Sequence, residues 1–248
     1  MNQHHVIVTR PLPYAQALCQ LLDEHEFHSL CHPLIEFVNN SDLSPEKIFH
    51  QLAASDTWIF ISQQAVNYCL QSFDNQQLAQ LKPKTIIAVG AATQLSLTKF
   101  GFISLIPQQS NSEGVLQLIN HCNITQNSTI TLVRGNQGRE LLEQQLAQQF
   151  QLSPLEVYFR QTVTTNWQHL ANISGQKAII ASSGQILEIS HHLLNCAKLP
   201  HNNFAIISAS ARITDIAHNM GFNNCYTALS ANNHDLLAAC HQWRQANS

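Results

Sequence analysis

Much of this chain is written twice. The run Val6-Ile7-Val8-Thr9-Arg10 matches Ile130-Thr131-Leu132-Val133-Arg134, with the two arginines 124 residues apart. Ile59-Phe60-Ile61-Ser62 matches Ile179-Ile180-Ala181-Ser182, and Ile86-Ile87-Ala88-Val89-Gly90 matches Ile206-Ile207-Ser208-Ala209-Ser210, each at a spacing of 120 residues. Gly101-Phe102 and Gly221-Phe222 keep the same interval. The chain has 248 residues, so the shift is close to half its length. Ordered self-similarity on that scale predicts two copies of one set of supersecondary units.

Each copy alternates short apolar runs with amphipathic stretches. The predicted strands are Val6–Thr9, Trp58–Ile61, Thr85–Val89, Phe102–Leu105, Thr129–Val133, Lys177–Ala181, Phe204–Ile207 and Asn223–Tyr226. The predicted helices are Ala15–Glu26, Gln63–Phe73, Ala91–Phe100, Ser112–His121, Arg139–Phe150, Gln185–Asn195, Ala211–Met220 and Asp235–Gln245. Gly101 and Gly221 follow two of these helices, where a C′ glycine belongs. Strand–helix alternation of this kind predicts an α/β chain with parallel sheets covered by helices on both faces. The segments Cys31–Val38 and Leu155–Val163 break the rhythm and read as extended crossovers. Asn123–Ser128, near the midpoint, reads as a polar loop and not as a linker.

Composition narrows the function. An apolar fraction of 44% supports a sizeable core, while charged residues are only 11% and the net charge is −3. That balance excludes the clustered basic face of a general nucleic-acid binder. It leaves room for an anionic ligand, because backbone N–H groups at helix starts bind anions without Lys or Arg. Seven cysteines with wide spacings and no CxxC pair suggest neither a zinc site nor a disulfide framework, and predict reduced, mostly buried thiols in a cytoplasmic protein. No signal peptide and no membrane span are expected. The fourteen histidines include the neighbours His4/His5 and His191/His192 but no HExxH, and they read as solvated surface residues.

The candidate chemistry sits where strands end and helices begin, the edge at which open parallel sheets bind ligands. Thr9-Arg10-Pro11 ends the first strand; Arg10 either grips a carboxylate or pairs with a local acid. Ser62-Gln63-Gln64 and Ser182-Ser183-Gly184 follow two other strands, and serine there is a helix N-cap or a ligand contact. Gly90-Ala91-Ala92-Thr93 offers close backbone approach and a hydroxyl but lacks the dinucleotide fingerprint. Arg134-Gly135-Asn136-Gln137-Gly138-Arg139 is a glycine-containing turn without the Lys-Ser/Thr ending of a P-loop. Tyr158, in Val157-Tyr158-Phe159-Arg160, is a half-buried sheet aromatic or a proton donor. No GxSxG elbow supports a serine hydrolase.

The ordered set resembles the uroporphyrinogen-III synthase family. Val8-Thr9-Arg10-Pro11, Pro33-Leu34-Ile35, Ile59 to Val66, Ala88 to Thr93, Val133-Arg134-Gly135, Val157-Tyr158, Ser210-Ala211-Arg212 and Gly221-Phe222 carry the likeness across essentially the whole chain. The resemblance implies two small doubly wound parallel-sheet domains, joined by a two-stranded β-ladder linker, with a cleft between them. The first domain would take residues 1–36 plus 162–248, the second 39–156, and the linker strands 33–38 and 157–161. It implies a lyase that closes hydroxymethylbilane, a linear tetrapyrrole rich in carboxylates, to uroporphyrinogen III for haem and sirohaem biosynthesis. Water is lost and the last pyrrole ring is inverted.

The same resemblance implies no metal or other cofactor, a monomer, and hand-over of substrate from the enzyme that makes hydroxymethylbilane. Tyr158 would assist departure of the hydroxyl. Arg10, Ser62, Gln63, Gly90, Thr93, Arg134, Ser182, Ser183 and Arg212 would bind the substrate. Ile61 stands where the family often has threonine, Gln63 replaces a frequent proline, and the Ser182-Ser183 loop lacks another. Two other readings remain: a non-catalytic synthase-like module that binds a tetrapyrrole or another polyanion, and an unrelated phosphosugar or nucleotide enzyme, which would need phosphate loops.

Overall fold

The computed structural model describes residues 3–122, 124–136 and 140–247. In chain order its elements are β1 (His4–Val8), α1 (Tyr14–Glu24), β2 (His28–Cys31), β3 (Ile35–Asn39), α2 (Pro45–Ala53), β4 (Thr57–Phe60), α3 (Gln63–Leu70), α4 (Asn75–Gln80), β5 (Thr85–Ala88) and α5 (Ala91–Lys99). There follow α6 (Ser112–His121), β6 (Thr129–Gly135), α7 (Glu140–Ala147), β7 (Gln151–Thr162), β8 (Gln176–Ala181), α8 (Gly184–Cys196), β9 (Phe204–Ser208), α9 (Ala211–Asn219), β10 (Cys225–Thr227) and α10 (Asn233–Ala246). The chain divides into two compact units, Met1–Glu36 with Gln161–Ser248, and Phe37–Arg160.

The first unit holds one parallel sheet in the order β10-β9-β8-β1-β2. The second has the order β3-β7-β6-β4-β5, and a bridge from Ile87 to Leu105 extends it beyond β5. Reading Leu105 in the place of β10, β5 in that of β9, β4 in that of β8, β6 in that of β1 and β7 in that of β2, the two sheets have one topology. The repeat is therefore structural. It is circularly offset: β1-α1-β2 opens the first unit, whereas its counterpart β6-α7-β7 closes the second. The predicted strand Phe102–Leu105 reduces to that single bridge, because only Leu105 pairs with β5.

Alternation along each strand sends side chains to opposite faces. In the second unit Trp58, Phe60, Ile86, Ala88 and Val133 pack on one face against Ala65, Val66, Cys69 and Leu97 of α3 and α5. Ile59, Ile87, Val89, Ile130 and Leu132 pack on the other against α6 and α7 through Val115, Ile119, Leu142 and Leu146. The first unit buries β1, β8 and β9 among Leu18, Leu22, Ile186, Leu187, Leu236 and Trp243. His4 belongs to this interior: it is buried with its ring edge-on to Trp243 at 5.1 Å, so it is not the solvated residue its neighbour pair suggests. All seven cysteines are free; Cys19, Cys69 and Cys240 are buried, while Cys31 and Cys196 are exposed.

Two helices escape the sequence pattern. α2 starts at Ser44, whose hydroxyl accepts from Lys47 N, with Pro45 at its first position. α4 starts at Asp74, in a capping box with Gln77. The crossover predicted at Leu155–Val163 is the end of a longer strand, β7, whose first residues pair with β6. The predicted helix Arg139–Phe150 begins outside the described residues, as does the loop Asn123–Ser128; residues 137–139 and 123 are not described.

Gly101 and Gly221 end α5 and α9 with φ of 83° and 90°, and no atom lies within 4 Å of a Cβ placed on Gly101. Alanine at either position therefore meets backbone strain without a clash. Gly101→Ala and Gly221→Ala should each cost about 1–2 kcal/mol, measured by urea denaturation. Unchanged stability at both would contradict the shared left-handed cap.

Candidate functional site

Each sheet has one place where the chain changes its direction of travel across the strands. In the second unit β4 leads to β5 on one side and β6 to β7 on the other; in the first unit β8 leads to β9 and β1 to β2. At such a switch point the two loops diverge and leave a crevice beyond the carboxyl ends of the strands. The neighbouring helix starts turn N–H groups toward it.

At the β4/β6 switch point stand Ser62 and Tyr158. Ser62 is the N-cap of α3, and its Oγ accepts from Ala65 N at 3.0 Å. The same oxygen lies 3.3 Å from the Tyr158 hydroxyl. Either hydroxyl can donate in this pair; when Ser62 donates, the tyrosine proton is left for a ligand. The Tyr158 ring is buried against Phe37, edge-on at 5.4 Å, and Tyr68, tilted at 5.5 Å.

Two residues that the sequence did not mark out as site positions fix that ring. A Cβ on Gly135 would lie 2.4 Å from Tyr158 Cε2, so only glycine leaves space for the tyrosine there. The β6–β7 register slips at this point: Arg134 pairs with Glu156, but Gly135 pairs with Tyr158. Such an irregularity re-aims a side chain beside it. Asn136 then ties the strand ends together, its N–H donating to Tyr158 O at 3.1 Å and its Oδ1 accepting from Arg160 N at 2.9 Å. A glycine at the end of a buried strand is the signal for Gly135; Asn136 has none in the sequence.

The β8/β1 switch point of the first unit collects Arg10, Ser182 and Ser183. Ser183, one residue further on than the repeat spacing indicates, is the N-cap of α8 and accepts from Ile186 N at 3.2 Å. Ser182 precedes it, partly exposed. Arg10 is half-buried, donates to Asn233 Oδ1 at 2.7 Å and stacks on Tyr14 at 5.5 Å. Burial lowers its pKa from the usual value, with Tyr14 opposing. The buried Thr9 hydroxyl donates to Ile180 O and ties β1 to β8.

One strand away, α5 and α9 start at Gly90 and Ser210, and neither start has a side chain accepting from its N–H groups. Gln63 is the first residue of α3. Arg212 is exposed in the first turn of α9. Thr93, in the first turn of α5, is as buried as Tyr158.

Arg134 differs from the expectation. Registered on the central strands, Val8 faces Ile180 and Val133 faces Phe60, so Arg134 corresponds to Thr9 and Arg10 to Gly135. The two arginines of the repeat are not equivalent. Arg134 is 6% exposed, its Nη1 pairs with the Glu143 carboxylate on α7, and its Nε donates to Gly135 O at 3.0 Å, with Glu156 Oε1 at 3.7 Å. A guanidinium neutralised this way holds the loop together and has little charge left for a ligand. The turn partners Gln137, Gly138 and Arg139 lie outside the described residues.

These features define a protein of two doubly wound α/β units, each with hydroxyls and helix-start amides gathered at the carboxyl ends of its central strands. Among the described residues no group of three or more His, Cys, Asp or Glu could hold a metal ion, and no helix is long and apolar enough to cross a membrane. The family model for uroporphyrinogen-III synthase HemD matches residues 16–238, and the chain belongs to that family. It is 28% identical to a uroporphyrinogen-III synthase of Salmonella typhimurium over 94% of this chain and 98% of that one. Another, from Proteus mirabilis, is 29% identical over 58% of this chain and 73% of its own. Among solved structures, the fold resembles uroporphyrinogen III synthase from Helicobacter pylori, with a TM-score of 0.63 and 15% identity over 99% of this chain and 100% of that one. A mutant of the Thermus thermophilus enzyme gives 0.61 and 16% over 98% and 99%.

Gly135→Ala should force the tyrosine ring from its seat and cost about 1–3 kcal/mol, as overpacking of a filled site does. Gly90→Ala, whose Cβ would meet only the Ser110 hydroxyl at 3.2 Å, should cost less. Denaturation curves and the near-ultraviolet dichroism of the tyrosine bands check both. Equal, small effects would contradict the packing of Tyr158 on Gly135.

Proposed function

We propose that this protein is a uroporphyrinogen-III synthase that acts as a lyase on hydroxymethylbilane, removing water and closing the macrocycle with the last ring inverted. In a chain of this family, the observation that carries the reading is the Tyr158 hydroxyl, held by Ser62 at a strand-end crevice. The carbon–oxygen bond of the hydroxymethyl group breaks as Tyr158 gives its proton to the departing hydroxyl, which leaves as water. The pyrrole nitrogen supplies the electron pair that stabilises the resulting cation. The substituted α-carbon of the last ring attacks the cationic methylene carbon on the first ring. The bond from that α-carbon to its own bridging methylene then breaks, and the freed methylene bonds to the other α-carbon, which inverts the last ring and closes the macrocycle. The proton displaced from that carbon restores the Tyr158 hydroxyl.

The chemistry demands little bond-making help from the protein and much positional control. Closure without guidance gives the other isomer, so the binding energy of the carboxylates must be used to hold the chain in the productive fold. The uncapped starts of α5 and α9, the capped starts of α3 and α8, and Arg10 and Arg212 supply donors suited to carboxylates. The departure at Ile61 alters a side chain only, whereas Gln63 in place of a proline adds a backbone N–H at the first position of α3.

The test is an assay supplied with freshly made hydroxymethylbilane, with the oxidised products separated by isomer. The type III isomer should dominate. An isomer ratio equal to the protein-free control would overturn the proposal in favour of a binding module. Tyr158→Phe keeps the ring packing and removes the proton; it should lower kcat roughly 100-fold, the scale of a lost general acid, with stability changed by about 1 kcal/mol. Unchanged turnover would remove the acid role.

A further inference from the structure

We infer that Arg160, and not Arg134, is the cation that receives a substrate carboxylate beside Tyr158; the inference rests on the proposed synthase reading. Arg160 lies two residues beyond Tyr158 on β7, and alternate residues of a strand share a face. Phe37 links them: its ring meets Tyr158 edge-on at 5.4 Å and lies under the Arg160 guanidinium at 5.6 Å. Asn136 fixes the backbone of both, through Tyr158 O and Arg160 N. The backbone of Arg160 is thus held to the same residue as that of the tyrosine.

Its charge, unlike that of Arg134, is uncommitted. Among the described residues no carboxylate lies within 4.0 Å of the guanidinium, whereas Arg134 has both Glu143 and Glu156. The Arg160 Nε is buried and has no hydrogen-bond partner. Stacking on Phe37 uses one face of the guanidinium, and with Nε enclosed the two terminal nitrogens are the donors that a carboxylate would meet. A carboxylate arriving edge-on can take two parallel bonds there. Bound so, an acetate or propionate arm would set which carbon of the chain lies at the Tyr158 hydroxyl. Arg160 is therefore a substrate-binding and orienting residue.

The experiment compares wild type with Arg160→Gln, Arg160→Lys and Arg134→Gln in the isomer-resolved hydroxymethylbilane assay, with melting curves for each. Arg160→Gln should raise KM about tenfold or more, flatten the dependence of KM on salt and leave the melting curve close to wild type. Arg160→Lys should recover part of the KM. Arg134→Gln should instead lower the melting temperature. A KM for Arg160→Gln within twofold of wild type would overturn the inference while leaving the synthase reading intact. If wild type itself makes no type III isomer, the synthase reading fails, and Arg160 is judged by binding of uroporphyrin III, followed by fluorescence quenching. Weaker binding by Arg160→Gln would then support a carboxylate contact, and equal binding would overturn it.

Discussion

In a parallel sheet every strand points the same way, so every loop into a following helix leaves from one edge. This constraint governs the protein. Each crossover between neighbouring parallel strands runs through a helix that starts beyond a strand's carboxyl end, as α1, α3, α7, α8 and α9 do. The consequence is a rim of backbone N–H groups and short polar side chains at one edge of each sheet. A chain with only 11% charged residues can thereby offer sites to a polyanion without a basic surface. Ser62 and Ser183 each take up one N–H of two of these starts, while Gly90 and Ser210 leave the equivalent pair without side-chain caps. The pattern recurs in both units because both have the same sheet order.

The second unit adds to that rim a proton donor whose position is over-determined. Tyr158 is held by the gap at Gly135, by Phe37 and Tyr68, by the Ser62 oxygen and by Asn136 at its carbonyl. A buried phenol restricted from so many sides has little rotamer freedom to lose when a ligand arrives, which is what preorganisation requires. The register slip between β6 and β7 is the backbone device that brings the ring over Gly135. The buried Arg134, paired with the part-exposed Glu143 and Glu156, secures the same loop.

The sequence made the architecture readable because buried parallel strands are continuous apolar runs. Val6-Ile7-Val8, Ile59-Phe60-Ile61 and Ile86-Ile87-Ala88 have no polar face to disguise them, and their repetition exposed the two-unit plan. α4 was not legible: Asn-Gln-Gln-Leu-Ala-Gln holds a single leucine, and its signal was the capping box at Asp74 and Gln77. Within the site, Ser62 and Ser183 were readable because N-caps are local. Arg134 misled because its partner Glu143 lies on another element, and nothing local showed that its charge would be neutralised. Gly135 and Asn136 depend on a register slip between strands, which pairwise spacing along one chain cannot reveal. Arg160 was hidden for the same reason, since its relation to Tyr158 runs through Phe37, far away in sequence.

The central claim is that carboxylates are received at the carboxyl edge of the strands. Titrating uroporphyrin III into isotopically labelled protein and following the backbone amide resonances tests it directly. The account predicts that the shifts concentrate at Thr9 to Arg10, Ile61 to Gln63, Gly90 to Ala92, Asn136, Arg160, Ser182 to Gly184 and Ser210 to Arg212. Shifts gathered instead at the opposite edge, in the groove formed by Leu81, Lys82, Lys84, Phe100 and Ile103, would contradict it.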